Sequence, residues 1–168
     1  MTKEMPNKMG KAMPEGTEAA ASLDRSPIHL LHRAGQCAGD IFQSKLGMTD
    51  LTPRQFAVLV TVSQNEGLSQ TQLVDKTGID RSTLADIVRR MLKKNLLQRR
   101  RTREDARAYA VRLTDEGRRV LKLVEPNALE VDAAVLAALP SAERERFLDN
   151  LNAIVEALSS ISAGHIPS

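Results

Sequence analysis

Cations concentrate in one short segment of this 168-residue chain. Residues 81–112 contain eleven Lys and Arg side chains and three acids, which gives +8, whereas the whole chain has a net charge of +3. The remainder of the chain is therefore neutral to acidic. A compact basic segment on such a scaffold is typical of an element that binds a polyanion such as a nucleic acid.

The first half of the basic segment is predicted to be an amphipathic helix that begins after Asp80, a favourable N-cap residue. Its apolar stripe consists of Leu84, Ile87, Val88, Met91 and Leu92. The opposite face carries hydroxyl groups and cations about 5–6 Å apart. Such a face fits the major groove of DNA, where arginine reads guanine, and the helix N-terminus offers N–H groups to phosphate. The candidate DNA contacts on this helix are Arg81, Ser82, Thr83, Arg89, Arg90 and Lys93. Taken alone, this pattern is explained equally well by a solvated face of a basic protein.

The second half of the segment predicts a β-hairpin with a basic tip, because two alternating runs flank a polar loop at residues 102–107. The arginines around the tip are Arg99, Arg100, Arg101, Arg103 and Arg107. Confining these cations is unfavourable unless a polyanion neutralises them, and a narrow minor groove beside the major-groove helix attracts arginine. We therefore predict that Arg101, Arg103 and Arg107 contact DNA. Asp105 is expected to orient one of these arginines.

The elements that position these groups are predicted to be mainly helical. Aromatic residues make up only 2% of the chain, and a core of Leu, Val, Ile and Ala suits packed helices. Residues 26–27 begin a first helix, and capping boxes at 52–55 and 69–72 begin the second and third. Gln70 and Thr71, at the start of the third helix, are further candidate DNA contacts. A short helix, a turn with glycine and an amphipathic helix form the helix-turn-helix arrangement.

Apolar surfaces at both ends of the chain predict self-association. The last helix carries a heptad seam made of Phe147, Leu151, Ile154, Leu158 and Ile161. The first helix adds an apolar arc that includes Ile28 and Leu31. Together these surfaces exceed what one small winged domain can cover, so we expect a dimer. The helix that begins after Thr114 contains Pro126, where we expect a kink or a break.

Several of these motifs occur together in a known family. They are Thr52-Pro53-Arg54-Gln55-Phe56, Gly78-Ile79-Asp80-Arg81-Ser82-Thr83-Leu84, Asp105-x-Arg107 and Leu113-Thr114-x-x-Gly117. Over residues 26–162 the chain resembles the MarR family of bacterial winged helix-turn-helix regulators. Asn95 stands where the family usually has glycine, and asparagine tolerates the same left-handed backbone.

The resemblance implies a mainly α fold with a small β-hairpin wing and a helical dimerisation region at both ends. We expect a disordered arm at 1–24, a MarR-type domain at 25–162 and a tail at 163–168. Within the domain, residues 52–113 form the winged helix-turn-helix lobe. The dimerisation helices lie on either side of the lobe, at 26–47 and 114–162. The resemblance also implies a homodimeric repressor whose wings enter minor grooves of a palindromic operator. A small anionic or phenolic ligand, bound between the dimerisation helices and the lobe, would relieve the repression.

The first helix indicates the class of ligand. Its residues 30–34 resemble those of MarR relatives that control the breakdown of aromatic acids, which implies an aromatic acid or its coenzyme A thioester as effector. The candidate ligand-binding residues are His29, His32, Arg33 and Gln36. An apolar crevice with these groups at its mouth would hold a ring and fix an anion. The alternative is that these side chains are solvated.

Two other interpretations stay open. Some relatives sense peroxides through one cysteine near the start of the first helix, and Cys37 is the only cysteine here. It lies further into the helix, at the edge of the apolar arc, so we expect a buried and inert thiol rather than a redox sensor. An architectural protein without an effector, which would bind most duplexes equally, is the other alternative.

The sequence offers no recognised catalytic motif. A glycine-rich phosphate loop, a nucleophile elbow and a zinc-protease motif are all missing from it. His29 and His32 lack the further ligands that a zinc site needs, so we expect neither an enzyme, nor a cofactor, nor a metal. The longest apolar run, residues 133–139, is far shorter than the roughly 20 residues of a membrane span. With no signal-peptide pattern either, we expect a cytoplasmic protein.

Overall fold

Helices and one β-hairpin make up the described part of the chain. The structure, a computed structural model, describes residues 22–47, 49–65, 67–101 and 109–164. The helices are α1 (Pro27–Lys45), α2 (Pro53–Gln64), α3 (Gln70–Thr77), α4 (Arg81–Lys93), α5 (Asp115–Ala137) and α6 (Arg144–Gly164). The strands are β1 (Leu97–Arg101) and β2 (Tyr109–Leu113), and 3-10 turns lie at Leu23–Arg25 and Ser141–Glu143. The predicted class, mainly α with a small β-hairpin, is confirmed. Most of the predicted arm at 1–24 and of the tail at 163–168 falls outside the described residues.

The chain divides into two compact units, residues 1–35 and residues 36–168. The described part of the first unit holds a 3-10 turn and the N-terminal half of α1. The Ser26 hydroxyl accepts a hydrogen bond from the N–H of His29 at 3.4 Å, in agreement with the predicted helix start. The second unit contains the remaining elements and the hydrophobic core.

Local hydrogen bonds begin and end the short helices as predicted. Complete capping boxes occur at residues 52–55 and 69–72, where a hydroxyl and a glutamine side chain each satisfy one backbone N–H group. α3 ends at Gly78, which has a φ of 64°. The chain leaves α4 through Asn95, whose φ of 55° is the left-handed conformation expected there.

The core of the second unit lies where α2, α3, α4, the hairpin and α5 meet. Its fully buried side chains include Leu59, Leu73, Leu84, Val88, Met91, Val111 and Val124. Each such burial stabilises the fold by about 1.5–3 kcal/mol. The apolar stripe of α4 supplies four of the core residues, so the opposite, polar face of this helix is held towards solvent.

α5 runs unbroken through Pro126, so of the two expected outcomes the break does not occur, and a kink there stays a prediction. Pro126 lies on the exposed side of the helix. The carbonyl group that loses its partner there, that of Lys122, belongs to an exposed residue and can be hydrated. On the opposite side Val120, Val124, Ala128 and Val131 are all buried, and they hold both halves of the helix against the core.

A compact junction of three residues joins α4, the hairpin and α5. The carbonyl oxygen of Leu96 accepts the N–H of Thr114 at 3.2 Å. The Thr114 hydroxyl donates to the carbonyl oxygen of Asn95 at 2.5 Å and also lies 3.2 Å from that of Leu96. The Thr114 oxygen accepts the N–H of Gly117 at 2.9 Å and so caps the start of α5. A Cβ atom on Gly117 would lie only 2.0 Å from the Leu96 carbonyl oxygen, so no larger residue fits without moving the backbone.

The variant Gly117→Ala is expected to lower the free energy of unfolding by about 1–3 kcal/mol or more, because the added methyl group forces the junction apart. Gly39→Ala is the matched control. A Cβ at Gly39, inside α1, meets no atom within 4 Å, so this change should raise stability by about 0.5–1 kcal/mol. Urea titrations followed by circular dichroism would measure both effects. Equal stability of the two variants would contradict the close approach of Gly117 to Leu96.

Candidate nucleic-acid interface

α4 presents a polar face opposite its buried stripe. The exposed residues of this face are Arg81, Ser82, Asp86, Arg89, Arg90 and Lys93, and Thr83 is half-buried. Within the described residues, neither Arg81, nor Arg90, nor Lys93 forms an ion pair. Their charge therefore remains available to a ligand of opposite sign.

Asp80 caps the N-terminus of α4. Its Oδ1 atom accepts the N–H of Thr83 at 2.9 Å and the hydroxyl of Ser82 at 2.7 Å. These hydrogen bonds, with those from Thr83 foremost, hold the pKa of the Asp80 carboxyl well below its usual range. The Ser82 hydroxyl already donates to Asp80, so Ser82 must exchange that partner before it can donate to a phosphate.

Arg89 is oriented by its neighbour one helical turn earlier. Its Nη2 atom donates to Oδ1 of Asp86 at 2.7 Å, and both side chains stay more than half exposed. A guanidinium group has five N–H donors, so this contact leaves most of its donors available. The pairing was not predicted, although the i,i+3 spacing of an acid and an arginine is visible in the sequence.

Gln70 and Thr71, the remaining predicted contacts of the helix-turn-helix, lie in the first turn of α3. Gln70 is half-buried and Thr71 is exposed. The exposed position of Thr71 agrees with a contact outside the protein, whereas only part of Gln70 is accessible.

The hairpin places arginine on both of its faces. β1 and β2 are antiparallel, with Arg99 opposite Val111, Arg100 opposite Ala110 and Arg101 opposite Tyr109. Because side chains alternate along a strand, Arg99 and Arg101 share one face and Arg100 lies on the other. All three arginines are exposed. The predicted tip residues Arg103, Asp105 and Arg107 lie outside the described residues.

A backbone contact that the sequence analysis missed ties the hairpin to the helix-turn-helix. The N–H of Val111 donates to the carbonyl oxygen of Leu68 at 2.8 Å, which makes an antiparallel bridge between β2 and the segment before α3. The only sequence signal is an apolar residue, Leu68, between Gly67 and the capping Ser69. The bridge fixes the base of the hairpin relative to α3.

Of the candidate ligand residues on α1, His32, Arg33 and Gln36 are exposed and His29 is half-buried. His29, His32 and Arg33 belong to the N-terminal unit, and Gln36 belongs to the second unit. The side chains of His32, Arg33 and Gln36 are thus accessible, and the role of all four residues in ligand binding stays a prediction. Within the described residues, no group of three or more His, Cys, Asp or Glu side chains could hold a metal ion.

Cys37 is exposed, so the expectation of a buried thiol is wrong. The physical reason lies in which face of α1 meets the core. Phe42 and Leu46 are buried against it, whereas Cys37 and Ile41, one turn apart, lie on a face that the chain leaves exposed.

The predicted seam of α6 is incompletely covered. Phe147 and Leu151 are half-buried, whereas Ile154, Leu158 and Ile161 are exposed.

Among the described residues, no helix combines the length and the apolar character that crossing a bilayer requires.

Comparisons with known proteins agree with this geometry. Residues 49–108 match the sequence model of the MarR family. The transcriptional repressor NicR of Pseudomonas putida is 29% identical over 147 residues, which cover 83% of this chain and 93% of NicR.

Two solved structures are similar over most of their length. The regulator PcaV of Streptomyces coelicolor, in complex with its natural ligand, has a TM-score of 0.77 at 31% identity, covering 83% of this chain and 99% of PcaV. Bordetella bronchiseptica BpsR, whose DNA binding is regulated by 6-hydroxynicotinic acid, has a TM-score of 0.76 at 28% identity, covering 82% and 98%.

Proposed function

The chain belongs to the MarR family of DNA-binding transcriptional regulators, and we propose that it is a repressor released from a palindromic operator by a small aromatic acid or its coenzyme A thioester. The family and the relatives are regulators of transcription, not enzymes. The observation that carries the proposal is the exposed basic face of α4, held beside an arginine-bearing hairpin by a shared core.

In this proposal α4 lies in the major groove and the hairpin lies over the adjacent minor groove. Arg89 reads a base edge, while Arg81, Arg90 and Lys93 bind phosphates or neighbouring bases. Ser82, Thr83, Gln70 and Thr71 supply hydrogen bonds at the helix N-termini. Arg101, Arg103 and Arg107 place positive charge in the minor groove, and Asp105 orients one of these arginines. Of these four, only Arg101 lies within the described residues.

The proposed repressor is a homodimer. In α6, Leu158 is 57% and Ile161 is 69% exposed, and in α1 Ile28 is 79% exposed. On α6, the large aliphatic side chains at heptad spacing, left in water, form a patch that a second copy can cover. The exposed Ile28 of α1 offers a second copy a further apolar contact. A two-fold dimer then reads two half-sites about 10 bp apart, which makes the operator a pseudo-palindrome.

The proposed effector is an aromatic acid, and the relatives support this class. BpsR responds to 6-hydroxynicotinic acid, and PcaV was solved with a natural ligand. On α1, His32 and Arg33 bring an imidazole and a guanidinium group to an exposed surface, Gln36 one turn further is also exposed, and His29 is half-buried. These groups suit a carboxylate beside an apolar ring. To act as inducer, the acid must bind more tightly to the conformation that does not fit DNA.

For the dimer, Leu158→Glu is expected to weaken association at least tenfold, because it buries a charge in the seam. Asn152→Glu, on the opposite side of the same helix, adds the same charge and should leave association unchanged. Sedimentation equilibrium at micromolar concentration measures both. A wild-type chain that stays monomeric at these concentrations would refute the dimer.

For DNA binding, Arg89→Ala is expected to weaken operator binding by about 1–3 kcal/mol and to relax sequence preference. Arg101→Ala should weaken binding to all duplexes and lower the slope of log affinity against log salt by about 1. Arg146→Ala, which removes an exposed cation from α6, is the control. The operator would first be selected from random duplexes. Equal wild-type affinity for most duplexes would instead indicate the architectural function.

For the effector, we expect that one aromatic acid or coenzyme A thioester binds the protein in titration calorimetry and lowers its operator affinity at least tenfold. The compounds to test are 6-hydroxynicotinic, benzoic, cinnamic and coumaric acids and their coenzyme A thioesters. Arg33→Ala should weaken that binding, whereas Arg25→Ala, an exposed cation just before α1, should not. If every compound is silent, or if binding leaves operator affinity unchanged, the aromatic effector is refuted while DNA binding stands.

A further inference from the structure

One acidic side chain interrupts the basic face of α4. Asp86 is the only Asp or Glu between Arg81 and Lys93. It lies in the middle of the face that carries Ser82, Arg89 and Lys93. Its side chain is 54% exposed, and its Oδ1 atom accepts Arg89 Nη2 at 2.7 Å.

Stability does not account for this carboxylate. An exposed i,i+3 ion pair contributes little to folding, because solvent screens it and two long side chains lose freedom. Near DNA the carboxylate is repelled by the phosphates, so it lowers affinity for any duplex. An acid at the centre of a DNA-facing surface therefore weakens general binding without stabilising the protein.

The base edges of the major groove offer what a carboxylate can use. A carboxylate only accepts hydrogen bonds, and the donors in this groove are the amino groups of cytosine N4 and adenine N6. Asp and Glu commonly accept from cytosine N4. Asp86 Oδ2 accepts no hydrogen bond from the described residues, so one carboxylate oxygen holds Arg89 and the other is available.

The spacing lets both side chains of the pair reach bases. Residues three apart on a helix lie about 5–6 Å apart. Stacked bases lie about 3.4 Å apart along a strand, so Asp86 and Arg89 span neighbouring base pairs. Since Arg89 uses one Nη2 donor for Asp86, its remaining donors are available to guanine O6 and N7.

We propose that Asp86 is a specificity residue that accepts a hydrogen bond from a cytosine amino group next to the guanine that Arg89 reads. This inference rests on the proposed placement of α4 in the major groove. The carboxylate lowers affinity for DNA in general and in exchange discriminates one base position. Its chemical partner is the N4 amino group of a cytosine in each half-site.

The test compares base preference with general affinity. Asp86→Ala should lose the cytosine preference at one position of each half-site, by roughly five- to 100-fold. Its affinity for random duplex DNA should rise severalfold at low salt, because one like charge is gone. Asp86→Asn should instead gain adenine at that position, since asparagine pairs with adenine N6 and N7. Selection from random duplexes and fluorescence anisotropy measure the two quantities.

Asp132→Asn, which removes an exposed acid from α5, is the charge control and should alter no base preference. If Asp86→Ala and Arg89→Ala lose preference at the same base pair only, Asp86 merely orients Arg89 and the cytosine contact is refuted. Unchanged preference in Asp86→Ala also refutes it. Failure of the proposed function is distinct from both results, because the wild-type chain would then select no common sequence.

Discussion

The close approach of the Gly117 backbone to the Leu96 carbonyl group determines how α4 and the hairpin, which carry the exposed basic residues, lie relative to each other. β1 begins at Leu97, the residue after Leu96, and β2 ends at Leu113, which pairs with Leu97 in the hairpin. The hairpin therefore leaves and returns to the chain at one crowded point. Thr114 caps α5, and its N–H donates to the same carbonyl group of Leu96. The hairpin, the end of α4 and the start of α5 are therefore joined at this point.

A second backbone contact completes the support for the charged groups. The bridge from Val111 to Leu68 attaches the hairpin to the start of α3, and the apolar stripe of α4 is anchored in the same core. The cations consequently sit on backbone that the core holds in place. The cations of α4 and of the hairpin repel one another. Because a close-packed core resists deformation, this repulsion does not separate α4 from the hairpin.

Sequence reasoning succeeded where local physics decides the structure. The capping boxes at 52–55 and 69–72, the left-handed Asn95 and the two strands all follow from short-range preferences. It failed where contacts between distant residues decide. The exposure of Cys37 depends on which face of α1 meets the core. A break at Pro126, one of the two expected outcomes there, does not occur because buried side chains on both sides hold α5. The bridge from Leu68 to Val111 joins residues far apart in sequence, and its only sequence signal is the single apolar residue Leu68 before the capping Ser69. The tip contacts Arg103, Asp105 and Arg107 and the ligand residues on α1 stay predictions.

The continuity of α5 has a mechanical consequence. At 23 residues, the helix is about 34 Å long, and its N-terminal end is fixed at the junction with the hairpin. A change in the direction of the helix at this end therefore moves its C-terminal end much further. A tilt of only about 5° at that end displaces the far end by roughly 3 Å, close to the rise of one base pair. For the proposed dimer on a palindromic operator, a small angular change at the start of α5 would thus move the far end of the helix by about one base-pair step.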